Sequence, residues 1–182
     1  MTPGSRLTII TGSQSAGKTA FCLKLMDLAL KQKIDVAGVI SPAEFKGDDK
    51  VGIGVIDLRS GERHSLAVLR RAGAAGISTI RWNFDSEILE WGNQVLASAV
   101  PCDLLIVDEL GPLEFDRGEG WLAGLGILDS GDYKAGLVVI RPELLDKALQ
   151  RWPAAWVLKI NHPQGIGQLA ENWLKSSGFE KS

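Results

Sequence analysis

The stretch TIITGSQSAGKTAF, Thr8–Phe21, decides how the rest of the chain is read. Its left end belongs to a β-rich apolar run, RLTIIT (Arg6–Thr11), and its right end opens the amphipathic segment TAFCLKLMDLALKQK, with Lys24, Asp27 and Lys31 on one polar stripe. That order predicts a strand, a glycine loop and a helix. Gly12, Gly17, Lys18 and Thr19 satisfy the pattern GxxxxGK[ST] between them. Such a loop folds back so that backbone N–H groups converge on a phosphate, and glycine permits the positive φ angles and the close approach. A side chain at Gly17 would intrude on it. The expected phosphate contacts are Gly12, Ser13, Gln14, Ser15, Ala16, Gly17, Lys18, Thr19 and Ala20. The helix start adds its positive end, Lys18 adds a mobile charge, and the Thr19 hydroxyl suits a Mg²⁺ ion.

Outward from this unit, VAGVIS (Val36–Ser41) reads as a second buried strand stopped by Pro42. Residues 44–69 differ: KVGIGVIDL and ERHSLAVL flank RSGE, which predicts an antiparallel hairpin inserted on the main sheet. WNFDSEILEWGNQVLASAV carries Asp85 as a helix N-cap, with Phe84 and Leu89 at hydrophobic-staple spacing. DLLIVDE (Asp103–Glu109) is a continuous apolar run ending in two carboxylates, as a central parallel strand buried on both faces requires. GLVVIRP and AWVLKI repeat that run on either side of a helix, ELLDKALQRW. Alternating strands and helices predict a three-layer α/β fold with a mostly parallel sheet and an inserted antiparallel hairpin. At 182 residues the chain is expected to be one domain over 1–182.

Composition narrows the function classes. No apolar run approaches the ~18 residues of a membrane span, and the start MTPGSRLTII lacks the features of a secretory leader, so a cytoplasmic protein with no membrane role is expected. A formal net charge of -2 gives no footprint for a nucleic-acid backbone, and nucleic acid is not expected as a primary partner. Cys22 and Cys102 form no CxxC, and His64 and His162 lack neighbours at metal spacing, which argues against structural zinc or a disulfide framework.

The remaining candidate residues fall at the ends of the apolar strands, where ligands of α/β sheets bind. Asp108 closes LLIVD and is the expected magnesium-side carboxylate beside Thr19. Glu109 follows at once and is the candidate general base, with a capping or ion-pairing carboxylate as the alternative. Arg141 ends the strand GLVVI and is the candidate sensor of a terminal phosphate. Arg70 and Arg71, beside AGAAG, read as a solvated basic pair or a mobile lid. Gly52 and Gly54 alternate onto one strand face, which suggests close approach by a backbone or a ring. DELG also fits the DxxG of GTPases, but the base-reading NKxD is missing and NHPQ has neither its Lys nor its Asp.

With both halves placed, the chain resembles the thermophilic-type nucleoside-triphosphatase family, small P-loop proteins that include a human cancer-related member. The resemblance covers roughly residues 6–140 and rests on TGSQSAGKT, GVISPAEFKGDDKVGIGVIDLRSGE and LLIVDELGPLEF. It implies a RecA-like P-loop fold and slow, broad hydrolysis of nucleoside triphosphates such as ATP or GTP, with Mg²⁺ as cofactor. The chain has Lys46 where that family usually has an arginine, and one residue fewer before Lys50. Pro112 and Leu113 replace the usual basic residue and methionine, while Glu114 stays, as a second site carboxylate or a helix-start anion. Beside hydrolysis, the same scaffold suits a kinase passing the γ-phosphate to a nucleoside, nucleotide or polynucleotide hydroxyl. It also suits a nucleotide-dependent switch whose moving part is the hairpin.

Overall fold

Cys102–Leu110 is apolar on both faces because it is covered on both faces. Leu105 and Val107 point into one core cluster with Ile9, Val39, Leu96 and Trp121, while Leu104 and Ile106 point into a second with Ile10, Phe21, Leu25 and Trp173. Two opposed cores need helices above and below the sheet. The structure is a computed structural model that describes residues 6–70 and 76–179.

Chain order is β1 (Leu7–Thr11), α1 (Lys18–Lys31), β2 (Val36–Ile40), β3 (Ala43–Lys46), β4 (Asp49–Asp57), β5 (Arg63–Leu69), β6 (Trp82–Phe84), α2 (Ser86–Ala97), β7 (Cys102–Leu110), α3 (Leu122–Ser130), β8 (Tyr133–Ile140), α4 (Leu145–Arg151), β9 (Trp156–Lys159) and α5 (Ile166–Ser176). A π-helical turn (Leu113–Arg117) follows β7, and a 3₁₀ turn (Pro142–Leu144) follows β8. The strands form one sheet in the order β6-β5-β4-β2-β7-β8-β1-β9, with β3 alongside β4. From β2 to β9 all neighbours are parallel. The P-loop fold with a mostly parallel sheet is therefore present as expected, and α1 and α5 cover one face while α2, α3 and α4 lie on the other.

The antiparallel part is larger than a hairpin. β3 and β6 flank β4 and β5, so a four-stranded meander extends the sheet beyond β2. β3 and β6 span only 4 and 3 residues, too short for an alternation to be read. The turn DLRSGE closes as an Asx turn, in which Asp57 accepts from the Arg59 N–H at 2.9 Å and the Ser60 hydroxyl at 2.5 Å. Asp85 caps α2 by accepting from Glu87 N and Ile88 N. Pro42 ends β2 as expected, yet the chain continues along the same edge of β4: Val39 and Ile40 pair with Asp57 and Ile56, then Ala43 pairs with Ile53. That kink holds Ser41 at the ligand end of β2, next to β7.

Gly52 and Gly54 face the Glu44 carboxylate first and then the expected backbone, the carbonyl oxygens of Ala67 at 3.1 Å and His64 at 3.4 Å from a Cβ at each position. A Cβ on Gly52 would lie 2.5 Å from the Glu44 Oε2, and one on Gly54 3.2 Å from its Oε1. Gly38 carries a stronger constraint. Its φ is +107°, and a Cβ there would lie 2.0 Å from the Ile106 carbonyl oxygen of β7. Because no L side chain fits both conditions, Gly38→Ala is expected to destabilise the fold by about 2 kcal/mol or more, a fall in Tm of roughly 5–10 °C measured by thermal melt.

Candidate active site

The loop between β1 and α1 is shaped by what stands behind it. Gly12 has φ +151° and a Cβ on it would lie 2.0 Å from the Ile160 carbonyl oxygen, just past β9. Gly17, at φ +100°, would drive a Cβ to 2.3 Å from Ile166 Cδ1 and 3.2 Å from Pro163 Cα. The intrusion expected at Gly17 therefore strikes the protein's own wall, NHPQ and the start of α5. Ser15 is left-handed at φ 63°, and Ala16 is buried.

Gly17 is the N-cap of α1 and supplies no side-chain acceptor, and the first turn has no acidic residue. Phe21 N is the first N–H of the helix to bond back, to Gly17 O at 2.9 Å. The N–H groups before it form the open positive end of a helix. Lys18 folds over the loop, its Nζ donating to Gly12 O at 2.7 Å and to Ser13 O at 2.8 Å. Of the expected contacts, the loop and helix start are thus brought together with Lys18 across them.

Asp108 is 2% exposed and lies between three elements. Its carboxylate accepts from the Thr19 hydroxyl of α1 and from the Ser41 N–H after β2, and the Ser41 hydroxyl donates to the Asp108 carbonyl oxygen at 2.6 Å. The other carboxylate oxygen, Oδ2, is buried without a hydrogen-bond partner. Burial, and then the Glu109 charge, push the Asp108 carboxyl up to about 7, against the opposing pull of Thr19, the Ser41 N–H and Lys18. An oxygen donor of this kind beside a threonine hydroxyl fits a hard divalent cation such as Mg²⁺. Ser41 was not foreseen as part of the site. The signal was available: it sits at the end of an apolar run, where strands of this fold class meet ligands.

Glu109 and Arg141 are brought together. Arg141 Nη2 lies 2.6 Å, and its Nε 2.8 Å, from the same Glu109 Oε1, and both side chains are partly exposed. Glu114 stands in the first turn of the π-helical segment Leu113–Arg117. It is buried, accepting from Gly111 N at 2.7 Å and Trp121 N at 2.8 Å, and it ties the loop after β7 into a closed turn. Burial raises its carboxyl above the usual range despite those two N–H groups. Arg70 donates to Thr79 O at 3.3 Å, which anchors the end of β5, and Arg71 lies outside the described residues.

The profile of the NTPase family matches residues 7–146, from β1 into the start of α4. The chain belongs to that family. Nucleoside-triphosphatase THEP1 of Methanopyrus kandleri is 34% identical over 107 residues, 58% of this chain and 58% of that protein, so the match spans little more than half of the relative. The protein of the same name from Hyperthermus butylicus is 30% identical over 140 residues, covering 76% of this chain and 72% of the relative. Among solved structures, a human cancer-related nucleoside triphosphatase superposes with a TM-score of 0.74 at 18% identity, over 98% of this chain and 100% of that one. THEP1 from Aquifex aeolicus gives 0.68 at 15% identity, over 94% and 99%. At those identities the likeness is one of fold. No helix among the described residues is long and apolar enough to cross a membrane.

A group whose folded pKa is raised destabilises the fold as pH rises from its unfolded value, near 3.9, through its folded one. The ligand-free protein therefore carries a growing penalty at Asp108 between pH 4 and pH 8. Asp108→Asn is expected to raise the Tm of the ligand-free protein by several degrees at pH 8 and by little at pH 4, as read from thermal melts across that range.

Proposed function

We propose that the chain is a Mg²⁺-dependent nucleoside-triphosphate phosphohydrolase, converting NTP and water to NDP and phosphate, with ATP or GTP as substrate and no strict choice of base. The observation that carries this reading is the unpartnered Asp108 Oδ2 beside the Thr19 hydroxyl, at the open N-terminal end of α1. The names of the THEP1 relatives support hydrolysis, and the missing NKxD argues against guanine selectivity of the GTPase kind.

In this reading Gly12, Ser13, Gln14, Ser15, Ala16, Gly17 and Ala20 cradle the phosphates with backbone N–H groups. Lys18 exchanges the carbonyls of Gly12 and Ser13 for phosphate oxygens. Thr19 and Asp108 would hold Mg²⁺, which would supply positive charge against the phosphates. Ser41 keeps Asp108 in place from the neighbouring strand. Glu109 takes the proton of the attacking water on Oε2, because Arg141 occupies Oε1. Arg141 orients that base and faces the terminal phosphate with its remaining donors. Catalysis by such a site is positioning and charge stabilisation, since little covalent chemistry falls to the protein.

Three outcomes test it. Lys18→Ala should abolish turnover and weaken Mg²⁺-NTP binding in calorimetric titration while the melt stays near the parent's. Glu109→Gln should lower single-turnover hydrolysis by roughly 10²–10⁴ with nucleotide affinity little changed. Labelled γ-phosphate should leave as inorganic phosphate in the presence of nucleoside, nucleotide and polynucleotide acceptors. Its appearance on an acceptor would replace hydrolysis by phosphotransfer.

A further inference from the structure

The meander brings a second set of charges to the ligand edge of the sheet. Trp82 opens β6 and is buried, 7% exposed. The Lys50 Nζ, from the start of β4, lies 5.1 Å from the centroid of its ring, and the guanidinium carbon of Arg81 lies 5.1 Å from the same centroid. Among the described residues neither side chain makes an ion pair with a carboxylate or a side-chain hydrogen bond, although seven other arginines and lysines pair with a carboxylate, as Arg59 does with Asp35 and Arg141 with Glu109. Two like charges on one ring repel each other, and the attraction of an aromatic face offsets only a part of that.

Lys50 stands within electrostatic reach of the site, with Arg81 beside it on the ring. Lys50 feels the carboxylates of Glu109 and Asp108 and the positive charges of Arg81 and Arg141. Its ammonium is held below the usual lysine range, first by burial and then by Arg81 and Arg141, against the pull of Glu109 and Asp108. Between the meander and the loop after β7 runs a cleft that includes Ser41, Ile53, Thr79, Phe84, Glu109 and Arg141. It opens beside the Glu109–Arg141 pair. A cation that is partly desolvated, lacks a carboxylate in contact and has two cationic neighbours is arranged for an anion from outside the chain.

We propose that Lys50 and Arg81, seated on Trp82, form a phosphate-binding subsite on the meander side of the Glu109–Arg141 pair. The proposal rests on the triphosphatase reading of the P-loop. Its ligand is a phosphoryl group, which can be the terminal phosphate of the bound triphosphate or the phosphate of a second molecule. In either case the meander, which lies outside the P-loop and the parallel strands, supplies part of the cationic shell. Lys50 and Arg81 are then phosphate-contacting residues contributed by the antiparallel half of the sheet.

Calorimetric titration of the full chain with Mg²⁺-ADP, with a β,γ-imido analogue of Mg²⁺-ATP, and with orthophosphate in the presence of saturating Mg²⁺-ADP separates these cases. If the terminal phosphate is the ligand, Lys50→Gln combined with Arg81→Gln should weaken the triphosphate analogue about tenfold or more and leave ADP within twofold. If a second molecule is the ligand, the analogue should be unchanged and orthophosphate should lose about tenfold. Lys50→Arg should retain parent behaviour in both arms, which separates lost charge from lost packing on Trp82. Should the double variant melt early, Lys50→Met and Arg81→Gln taken singly carry the same comparison. Unchanged affinities in both arms, in variants that melt like the parent, overturn the subsite and leave the P-loop reading intact. Failure of the parent to bind any nucleotide overturns the P-loop reading, and the subsite with it unless orthophosphate alone still binds in a Lys50- and Arg81-dependent manner.

Discussion

Asp108 is a carboxylate taken almost wholly out of water and only half satisfied within the protein. Its accepted hydrogen bonds come from α1 and from the segment after β2, and its backbone belongs to β7. Three pieces of chain separated by many residues therefore meet at one oxygen pair. Isolated burial of such a group is unfavourable, and the raised pKa records how strongly its buried surroundings and Glu109 resist its charge. A bound cation reverses that balance, because a positive charge at Oδ2 compensates the desolvation of the carboxylate. The destabilising element of the ligand-free fold is thus the element that gives the site its proposed chemistry.

Around that point the fold works by close approach of backbones. Gly12 and Gly17 allow the loop to lie directly on Ile160, Pro163 and Ile166, and Gly38 lets β2 lie against Ile106 of β7. These contacts fix where the open N-terminal end of α1 points relative to the carboxylate strand. The glycines of the loop between β1 and α1 are required by the wall behind them, and under the proposed function by the ligand in front as well. The loop after β7 is secured in a different way: Glu114 accepts two backbone N–H groups, and Gly120 admits its carboxylate at a distance that would place a Cβ 2.1 Å from Oε1.

The meander shows how an edge extension becomes part of a site. β2 and β3 run along one edge of β4, with Ser41 at the bend, so the meander is docked directly beside the carboxylate strand. This placement brings Lys50, with Arg81 beside it on Trp82, within electrostatic reach of Glu109 and Arg141. Charge from both halves of the sheet converges there, while the phosphate loop approaches from α1. Under the proposed function, Arg141 has donors beyond those Glu109 Oε1 takes up with which to meet a phosphate.

Much of this was legible in residue order. The glycine loop between an apolar run and an amphipathic one, and the continuous run LLIVD ending in carboxylates, determined the strand–loop–helix unit, the parallel sheet, and Lys18, Thr19, Asp108 and Glu109 as the candidate residues. Local periodicity and motif spacing act over a few residues, so sequence carries them directly. The pairing of Glu109 with Arg141, the place of Ser41 on Asp108, the buried role of Glu114, and Lys50 beside Arg81 on Trp82 were decided by tertiary structure alone. The last of these illustrates the reason. Lys50 lies on β4 and Arg81 just before β6, in a meander whose outer members, β3 and β6, are too short to show a pattern, and only sheet register brings Lys50 to the ring beside Arg81. Sequence fixes the type of each charge; which charges become neighbours depends on strand order and register, which are set by packing over the whole sheet.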